Sequence, residues 1–93
     1  IEAVLLQCPG VRDCAVFGIP DEDLGESLAA AIEPEDGAAI DAEAVRRFLD
    51  PRIARFKIPR RVDVHAALPR EDSGKIMKRK LREPFWRDAG RSI

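Results

Sequence analysis

The sequence contains few of the residues that build metal or disulfide sites: it has one histidine and two cysteines among 93 residues. A structural zinc site takes four ligands, usually cysteine or histidine. Cys8, Cys14 and His65 fall short of that number, so we predict no metal site. The two cysteines are interpreted as buried or half-buried thiols of a protein in a reducing, cytoplasmic setting.

The chain also lacks a long apolar run and a basic leader. No apolar run reaches the ~20 residues that a membrane-spanning helix needs. The opening residues, IEAVLLQCPG, contain no basic segment of a signal peptide. Residues 1–6 have the pattern of an amphipathic helix without a capping residue before it. We therefore expect a piece of a longer protein, with no segment in the membrane.

Charge of each sign is concentrated in one half of the chain. Residues 1–50 carry twelve acidic and three basic side chains, whereas residues 51–93 carry thirteen basic and five acidic ones. A basic half suggests an anionic partner. The same distribution also fits two halves that neutralise each other, and the charges alone favour neither interpretation.

The pattern of apolar and turn-forming residues predicts a small α+β domain of about three strands and about three helices. In chain order the predicted elements are a helix end at 1–7, strands at 11–19 and 27–32 around a loop at 19–26, a helix at 41–49, an extended segment at 54–61, a third strand around 62–65, a loop at 68–75, a last helix at 78–86 and a frayed tail at 88–93. The first two strands are expected to pair antiparallel. In the first of them Cys14 shares a face with Val16, and Ala15 shares the other face with Phe17. Asp41 is the expected cap of the middle helix.

One lysine follows directly on a glycine turn. Residues 68–82 read LPREDSGKIMKRKLR, and the turn at 72–74 places Lys75 on a loop, where function is often found. A phosphate-binding P-loop is excluded, because it needs a glycine where Pro69 stands and Ser or Thr where Ile76 stands. The remaining chemical role is a mobile point charge, which can lie beside a phosphate and a carboxylate oxygen.

A second candidate group surrounds an aromatic residue. Phe56 is followed by Lys57 and Arg60, with further arginines close by. Such a group can hold a nucleotide, because the ring stacks on a base and the cations pair with phosphates. It also fits a core phenylalanine with surface cations, and spacing alone favours that interpretation.

The basic run after Lys75 has two interpretations as well. Lys78, Arg79, Lys80 and Arg82 resemble a nucleic-acid or membrane patch. Met77 and Leu81 lie one helical turn apart between them, which favours a solvated helix face. His65 lacks the partners of a catalytic triad and is interpreted as a strand residue.

Taken together, four segments make the chain resemble the C-terminal domain of the adenylate-forming superfamily, which includes acyl-CoA synthetases, peptide-synthetase adenylation domains and beetle luciferases. The segments are I-E-A-V-L followed by P-G-V at the start, G-I-P-D-E-D-L-G-E at 18–26, F-K-I-P-R at 56–60, and the segment at 68–82. The resemblance covers nearly the whole chain. It implies that residues 1–93 are one small lid domain whose large N-terminal partner domain is absent.

The resemblance also implies an activity. In this family a carboxylate attacks the α-phosphate of ATP, which gives an acyl-adenylate and pyrophosphate, and a thiol, usually coenzyme A, then takes the acyl group. The small domain swivels between two poses, one for each step. The ending L-R-E-P-F-W is similar to fatty-acyl or aryl acid–CoA ligases. The implied cofactors are ATP, coenzyme A and Mg²⁺, bound mainly by the large domain, and the implied substrate is a small carboxylic acid. The fragment is expected to be inactive alone.

Roles for individual residues follow from the same resemblance. Lys75 matches the family's adenylation lysine, which bridges the carboxylate and the α-phosphate. Phe56 is expected to stack on the adenine of coenzyme A, with Lys57 and Arg60 near its phosphates. Leu24 replaces an aromatic residue that contacts coenzyme A in many members. The alternatives to a CoA ligase are a basic nucleic-acid-binding module and an adenylation domain that serves a carrier protein.

Overall fold

A computed structural model describes residues 1–23 and 25–91, with side chains described as far as Arg87. Its elements are α1 (Glu2–Leu5), β1 (Val11–Asp21), β2 (Gly25–Pro34), α2 (Ala42–Leu49), a 3₁₀ helix (Arg55–Lys57), β3 (Arg61–Val64) and α3 (Lys78–Arg91). The predicted α+β class, with three strands and three α-helices among the described residues, is confirmed.

The three strands form one sheet in the order β1-β2-β3. β1 and β2 pair antiparallel, as predicted, and β3 runs parallel to β2. A parallel neighbour needs a crossover connection, which here contains α2. α2 begins at the predicted cap, because Asp41 Oδ1 accepts a hydrogen bond of 2.8 Å from the Ala44 N–H.

The predicted loop at 19–26 is wrong. Both strands extend into these residues until Asp21 pairs with Gly25, so the connection is a tight turn. Gly25 adopts a positive φ of 79°, and Asp21 Oδ1 accepts the Asp23 N–H at 2.9 Å, so glycine and aspartate close the turn locally. Pro20 is tolerated within β1 because β1 is an edge strand.

Both faces of the sheet are covered. One face packs Cys14 and Ile32 against Leu5 of α1 and against Val45 and Leu49 of α2. The other face packs side chains of β1 and β2 against the segments that follow β3: Ala15, Phe17, Ile19, Ala29, Ala31, Leu68 and Leu81. The predicted division of β1 between Cys14 with Val16 and Ala15 with Phe17 is confirmed. We call these the α2 face and the α3 face.

Two further predictions differ from the structure. The segment at 54–61 is not wholly extended, because i to i+3 hydrogen bonds turn Arg55–Lys57 into a 3₁₀ helix. That helix ends where Ile58, which precedes a proline, becomes extended. α3 continues through Pro84 to Arg91, so the frayed tail predicted from residue 88 is wrong as far as 91, and residues 92–93 lie outside the described part.

Tertiary contacts stabilise α3 beyond its proline. The Phe85 ring lies 6.2 Å from the Phe17 ring, centroid to centroid, and the Trp86 indole N–H donates to the Gly18 carbonyl at 3.0 Å. Packing against β1 therefore compensates for the backbone hydrogen bond that Pro84 cannot donate. Within the described ranges, no helix has the length and apolar character needed to cross a bilayer.

Candidate functional site

Lys75 lies on a short hairpin that folds back on itself. The hairpin runs from Pro69 to Met77, and the Met77 N–H donates to the Pro69 carbonyl at 2.8 Å. Nearer the tip, the Glu71 N–H donates to the Lys75 carbonyl at 2.8 Å, and Gly74 takes a φ of 92°. The predicted glycine turn is present, and the hairpin presents Lys75 to solvent.

The ammonium of Lys75 is uncommitted. None of the hydrogen bonds or ion pairs found among residues 1–23 and 25–87 uses this group. Beside it lies an open cavity of ≈ 540 Å³, whose lining includes Ile76, Met77 and Arg79. A flexible cationic group next to a partly apolar depression can contact an anionic ligand held by another molecule or domain.

Arg70 braces this hairpin from below. Its Nη1 donates to the Gly74 carbonyl at 3.1 Å, and its Nη2 donates to Asp13 Oδ2 at 2.9 Å and to Glu33 Oε1 at 3.3 Å. The hydrogen bonds to Asp13 and then to Glu33 raise the pKa of Arg70, so the guanidinium stays charged. One side chain therefore joins the turn before Lys75 to two strands of the sheet.

The two carboxylates that receive Arg70 are cross-strand neighbours. Asp13 of β1 pairs with Glu33 of β2, directly after a bulge between Val11 and Asp13. Bulges re-aim the side chains that follow them. Glu33 is only 7% exposed and also accepts the Leu68 N–H at 2.9 Å. Sequence reasoning missed all three charged residues; the available signal was an acid at the end of an apolar strand and the Pro-Arg that opens the hairpin.

The second candidate group lies on the 3₁₀ helix. Phe56 is 82% exposed, so the expectation from spacing that this ring belongs to the core is wrong. The exposed Lys57 holds its Nζ 5.8 Å from the centre of the ring. Phe56 and Arg60 border a cavity of ≈ 620 Å³ with Ser27 and Leu28 of β2.

Arg46 and the sheet hold this segment in place. Arg46 of α2 donates to the carbonyls of Pro59 and Arg60, at 3.4 and 2.6 Å. The Arg60 N–H donates to the Leu28 carbonyl at 3.0 Å, and the Arg60 guanidinium pairs with Asp21 Oδ2 at 3.1 Å. Phe56 is thus displayed by a fixed backbone, while Arg60 is already partly engaged.

The structure does not bring Lys75 together with Phe56, Lys57 and Arg60. The Lys75 hairpin is tied to Asp13 of β1 through Arg70, and the Phe56 segment is tied to Asp21 through Arg60. These two aspartates are eight residue steps apart. At about 3.3 Å per residue, that separation is about 26 Å. The faces differ too, because Ile76 packs on the α3 face whereas Ile58 packs on the α2 face.

The basic run at the start of α3 is partly neutralised. Lys78 Nζ lies 3.0 Å from Glu2 Oε1, and Glu2 Oε2 accepts the Val16 N–H. Of the eight ion pairs found in the described part of the chain, five join a base from 51–93 to an acid from 1–50. This supports the interpretation that the two halves of the chain neutralise each other.

Two remaining predictions concern Leu24 and metal binding. Leu24 lies outside the described residues. In the two described ranges, no group of three or more His, Cys, Asp or Glu side chains is arranged to hold a metal ion. Cys8 and Cys14 are both free and buried, in agreement with their predicted state.

The chain matches a known protein family. The family model for the AMP-binding enzyme C-terminal domain covers residues 1–75, which includes both candidate groups.

Individual relatives resemble the chain closely in sequence and structure. The fatty acid–acyl-carrier-protein ligase ScoC of Streptomyces coeruleorubidus is 40% identical over 100% of this chain and 18% of its own length. The long-chain-fatty-acid–CoA ligase FadD13 of Mycobacterium tuberculosis is 41% identical over 91% of this chain and 17% of its own length. The crystal structure of ATP-bound MatB from Rhodopseudomonas palustris superposes with a TM-score of 0.84 at 38% identity, over 90% of this chain and 17% of MatB. The chain therefore spans less than a fifth of the length of these proteins.

Proposed function

We propose that this chain is the mobile small domain of an ATP-dependent carboxylic acid–CoA ligase, and the premise is its family: the chain belongs to the AMP-binding enzyme C-terminal domains. In the proposed reaction a carboxylate attacks the α-phosphate of ATP, which yields an acyl-adenylate and pyrophosphate. The acyl group then passes to coenzyme A. A large N-terminal domain, which is the partner of this one, supplies the rest of the site.

The observation that carries the proposal is the uncommitted ammonium of Lys75 on a braced hairpin. Negative charge builds up between the carboxylate and the α-phosphate as the bond forms, and a positioned cation stabilises it. Phosphoryl transfer depends mainly on such positioning and charge neutralisation. Lys75 is exposed in the small domain alone, so it acts when this face docks on the large domain.

The Phe56 surface suits the second step. An exposed ring beside Lys57 and Arg60 matches a purine ring that carries phosphates. This surface is anchored about 26 Å along β1 from the Lys75 anchor, and its neighbour Ile58 packs on the opposite face of the sheet from Ile76, so the two surfaces face different ways. The geometry supports a domain that turns between adenylation and thioester formation.

The cofactors divide between the two domains in this proposal. ATP and Mg²⁺ are held mainly by the large domain. Mg²⁺ supplies charge neutralisation at the phosphates. The nucleotide end of coenzyme A fits the Phe56 surface. The free, buried thiols are consistent with a reducing cytoplasmic location.

A carrier protein is the second candidate acceptor. ScoC, which matches the whole of this chain, is named for ligation to an acyl carrier protein. The nucleic-acid-binding interpretation is not retained, because the family consists of AMP-binding enzymes, the relatives named above are ligases, and Lys78 is engaged with Glu2.

The test is a pyrophosphate-release screen of the full-length protein against a panel of carboxylic acids, each with ATP and Mg²⁺. The proposal expects acid-dependent pyrophosphate release, followed by a thioester when coenzyme A or a loaded carrier protein is added. Absence of release with every acid, in a protein that binds ATP, would contradict it.

A further inference from the structure

We propose that Arg70 is a positioning residue for Lys75: its guanidinium locks the Lys75 hairpin onto the sheet, so that the ammonium reaches the reacting phosphate from a fixed base. This inference rests on the role proposed for Lys75 in adenylation. Arg70 donates its hydrogen bonds to Gly74, Asp13 and Glu33.

The contacts of Arg70 close the hairpin at its critical point. Arg70 stands at the base of the hairpin, where it forms a β-bridge with Ile76. Its Nη1 reaches across to the carbonyl of Gly74, at 3.1 Å. That carbonyl belongs to the peptide bond that leads into Lys75, so the contact restrains the backbone from which the lysine side chain extends.

The other end of the guanidinium is tied to the sheet. Nη2 contacts Asp13 at 2.9 Å and Glu33 at 3.3 Å, 57 and 37 residues away in the chain. Glu33 also holds the Leu68 N–H at 2.9 Å, so both the entry to the hairpin and its base are fastened to one buried carboxylate. Guanidinium geometry permits this, because a planar fork offers several donors in fixed directions.

The arrangement brings two carboxylates onto one guanidinium. Asp13 and Glu33 are cross-strand neighbours, and like charges opposite each other are destabilising. Arg70 lies between the two carboxylates and offsets their repulsion, although its own side chain is 34% exposed. The ion pairs also fix the orientation of the Arg70 guanidinium. Through its contact with the Gly74 carbonyl, they orient the turn before Lys75. The three backbone hydrogen bonds within the hairpin join its own residues and do not tie it to the sheet, whereas Arg70 does.

The test uses Arg70→Lys in the full-length protein, which keeps the charge but removes the fork. We expect kcat for adenylate formation to fall about 10- to 100-fold, as small misplacements of catalytic groups do, with KM for ATP and for the acid unchanged. Thioester formation from a supplied acyl-adenylate should stay at the wild-type rate, because that step does not use Lys75. Asp13→Asn, which leaves the Glu33 contact in place, should show the same split to a smaller degree. Arg12→Lys is the matched control, since Arg12 lies beside Asp13 on β1 but pairs with Asp36 at 3.1 Å and not with a hairpin residue.

A double variant separates positioning from a merely structural role. If Arg70 acts through Lys75, then Arg70→Lys combined with Lys75→Ala should form adenylate no more slowly than Lys75→Ala alone. Equal losses in both half-reactions, an additive loss in the double variant, or wild-type adenylation by Arg70→Lys would each overturn the inference while leaving Lys75 in its role. Wild-type adenylation by Lys75→Ala would instead overturn the proposed function and, with it, this inference.

Discussion

Asp13 and Asp21 stand at opposite ends of strand β1, and each carboxylate holds an arginine from a different candidate group. Asp13 pairs with Arg70 at 2.9 Å beside the Lys75 hairpin, and Asp21 pairs with Arg60 at 3.1 Å beside the Phe56 surface. Strand β1 therefore connects two surfaces that face different ways. A domain built like this can present either end to a partner by rotating as a whole.

Phe56→Ala should weaken the use of coenzyme A selectively. Loss of a stacking ring costs about 1–3 kcal/mol per base, which corresponds to a rise in the KM for coenzyme A of roughly 5- to 150-fold. The KM for ATP should stay unchanged, because adenylation uses the other end of the domain. Steady-state kinetics of the full-length protein measure both values. Leu6→Ala is the control for loss of an exposed apolar side chain, and a parallel rise in both KM values would remove Phe56 from the coenzyme A site.

Arg60→Gln should also raise the KM for coenzyme A, and the rise should shrink as salt concentration increases, because screening weakens pairing between arginine and phosphate. Arg61→Gln is a closely matched control: both side chains are about half exposed, and each pairs with an aspartate. Kinetics across a range of ionic strength check this prediction. An equal effect of the two substitutions would contradict a direct contact between Arg60 and the ligand. Arg60 would then serve only to hold Asp21 at the turn between β1 and β2.

The turns, the helix cap and the faces of β1 could be predicted from the sequence because their signals are local. Turn residues around Gly74, the cap at Asp41 and the alternation around Cys14 each act within a few positions. Arg70 could not be assigned in the same way, since its carboxylate partners are 57 and 37 residues distant. The run of three alanines in β2 suits a helix and a strand equally well. Only the covering of both sheet faces explains why small residues are buried there.

Phe56 shows the limit of spacing arguments most clearly. In a strand, Phe56 and Ile58 would lie on the same face, which fits two core residues. The short helical turn instead points their side chains in different directions. Ile58 packs on the α2 face, while Phe56 points to solvent. Arg46 and Leu28 hold the backbone that follows the 3₁₀ turn. Neither contact is visible in the local sequence.

The buried thiols make a prediction about pH. Burial, followed by the charges of Glu2 and Asp13, raises the pKa of the Cys14 thiol to about 11, above the ordinary value of about 8.5. A thiolate is thus disfavoured more in the folded chain than in the unfolded chain. Cys14 therefore contributes stability that is complete below the ordinary value and declines as the pH rises towards 11.

Denaturant unfolding of wild type and Cys14→Ala between pH 7 and 10.5 measures this effect. Wild type should lose more stability over that range than Cys14→Ala, and native Cys14 should resist alkylation until the chain unfolds. Burial also raises the pKa of the Cys8 thiol, so the alkylation of Cys8 in the same protein is the comparison for that of Cys14. Identical pH profiles for the two proteins would contradict the burial argument.

The most direct test of the central claim measures the two half-reactions separately in full-length Lys75→Ala. Lys80→Ala is the matched control, because Lys80 is an exposed lysine five residues away on α3. We predict that Lys75→Ala slows adenylate formation about 100- to 1000-fold, as removal of one charge-stabilising group does. Pyrophosphate exchange measures this step. Thioester formation from a supplied acyl-adenylate should proceed at the wild-type rate, and Lys80→Ala should match wild type in both steps. Equal losses in both half-reactions, or adenylation at the wild-type rate without Lys75, would contradict the account.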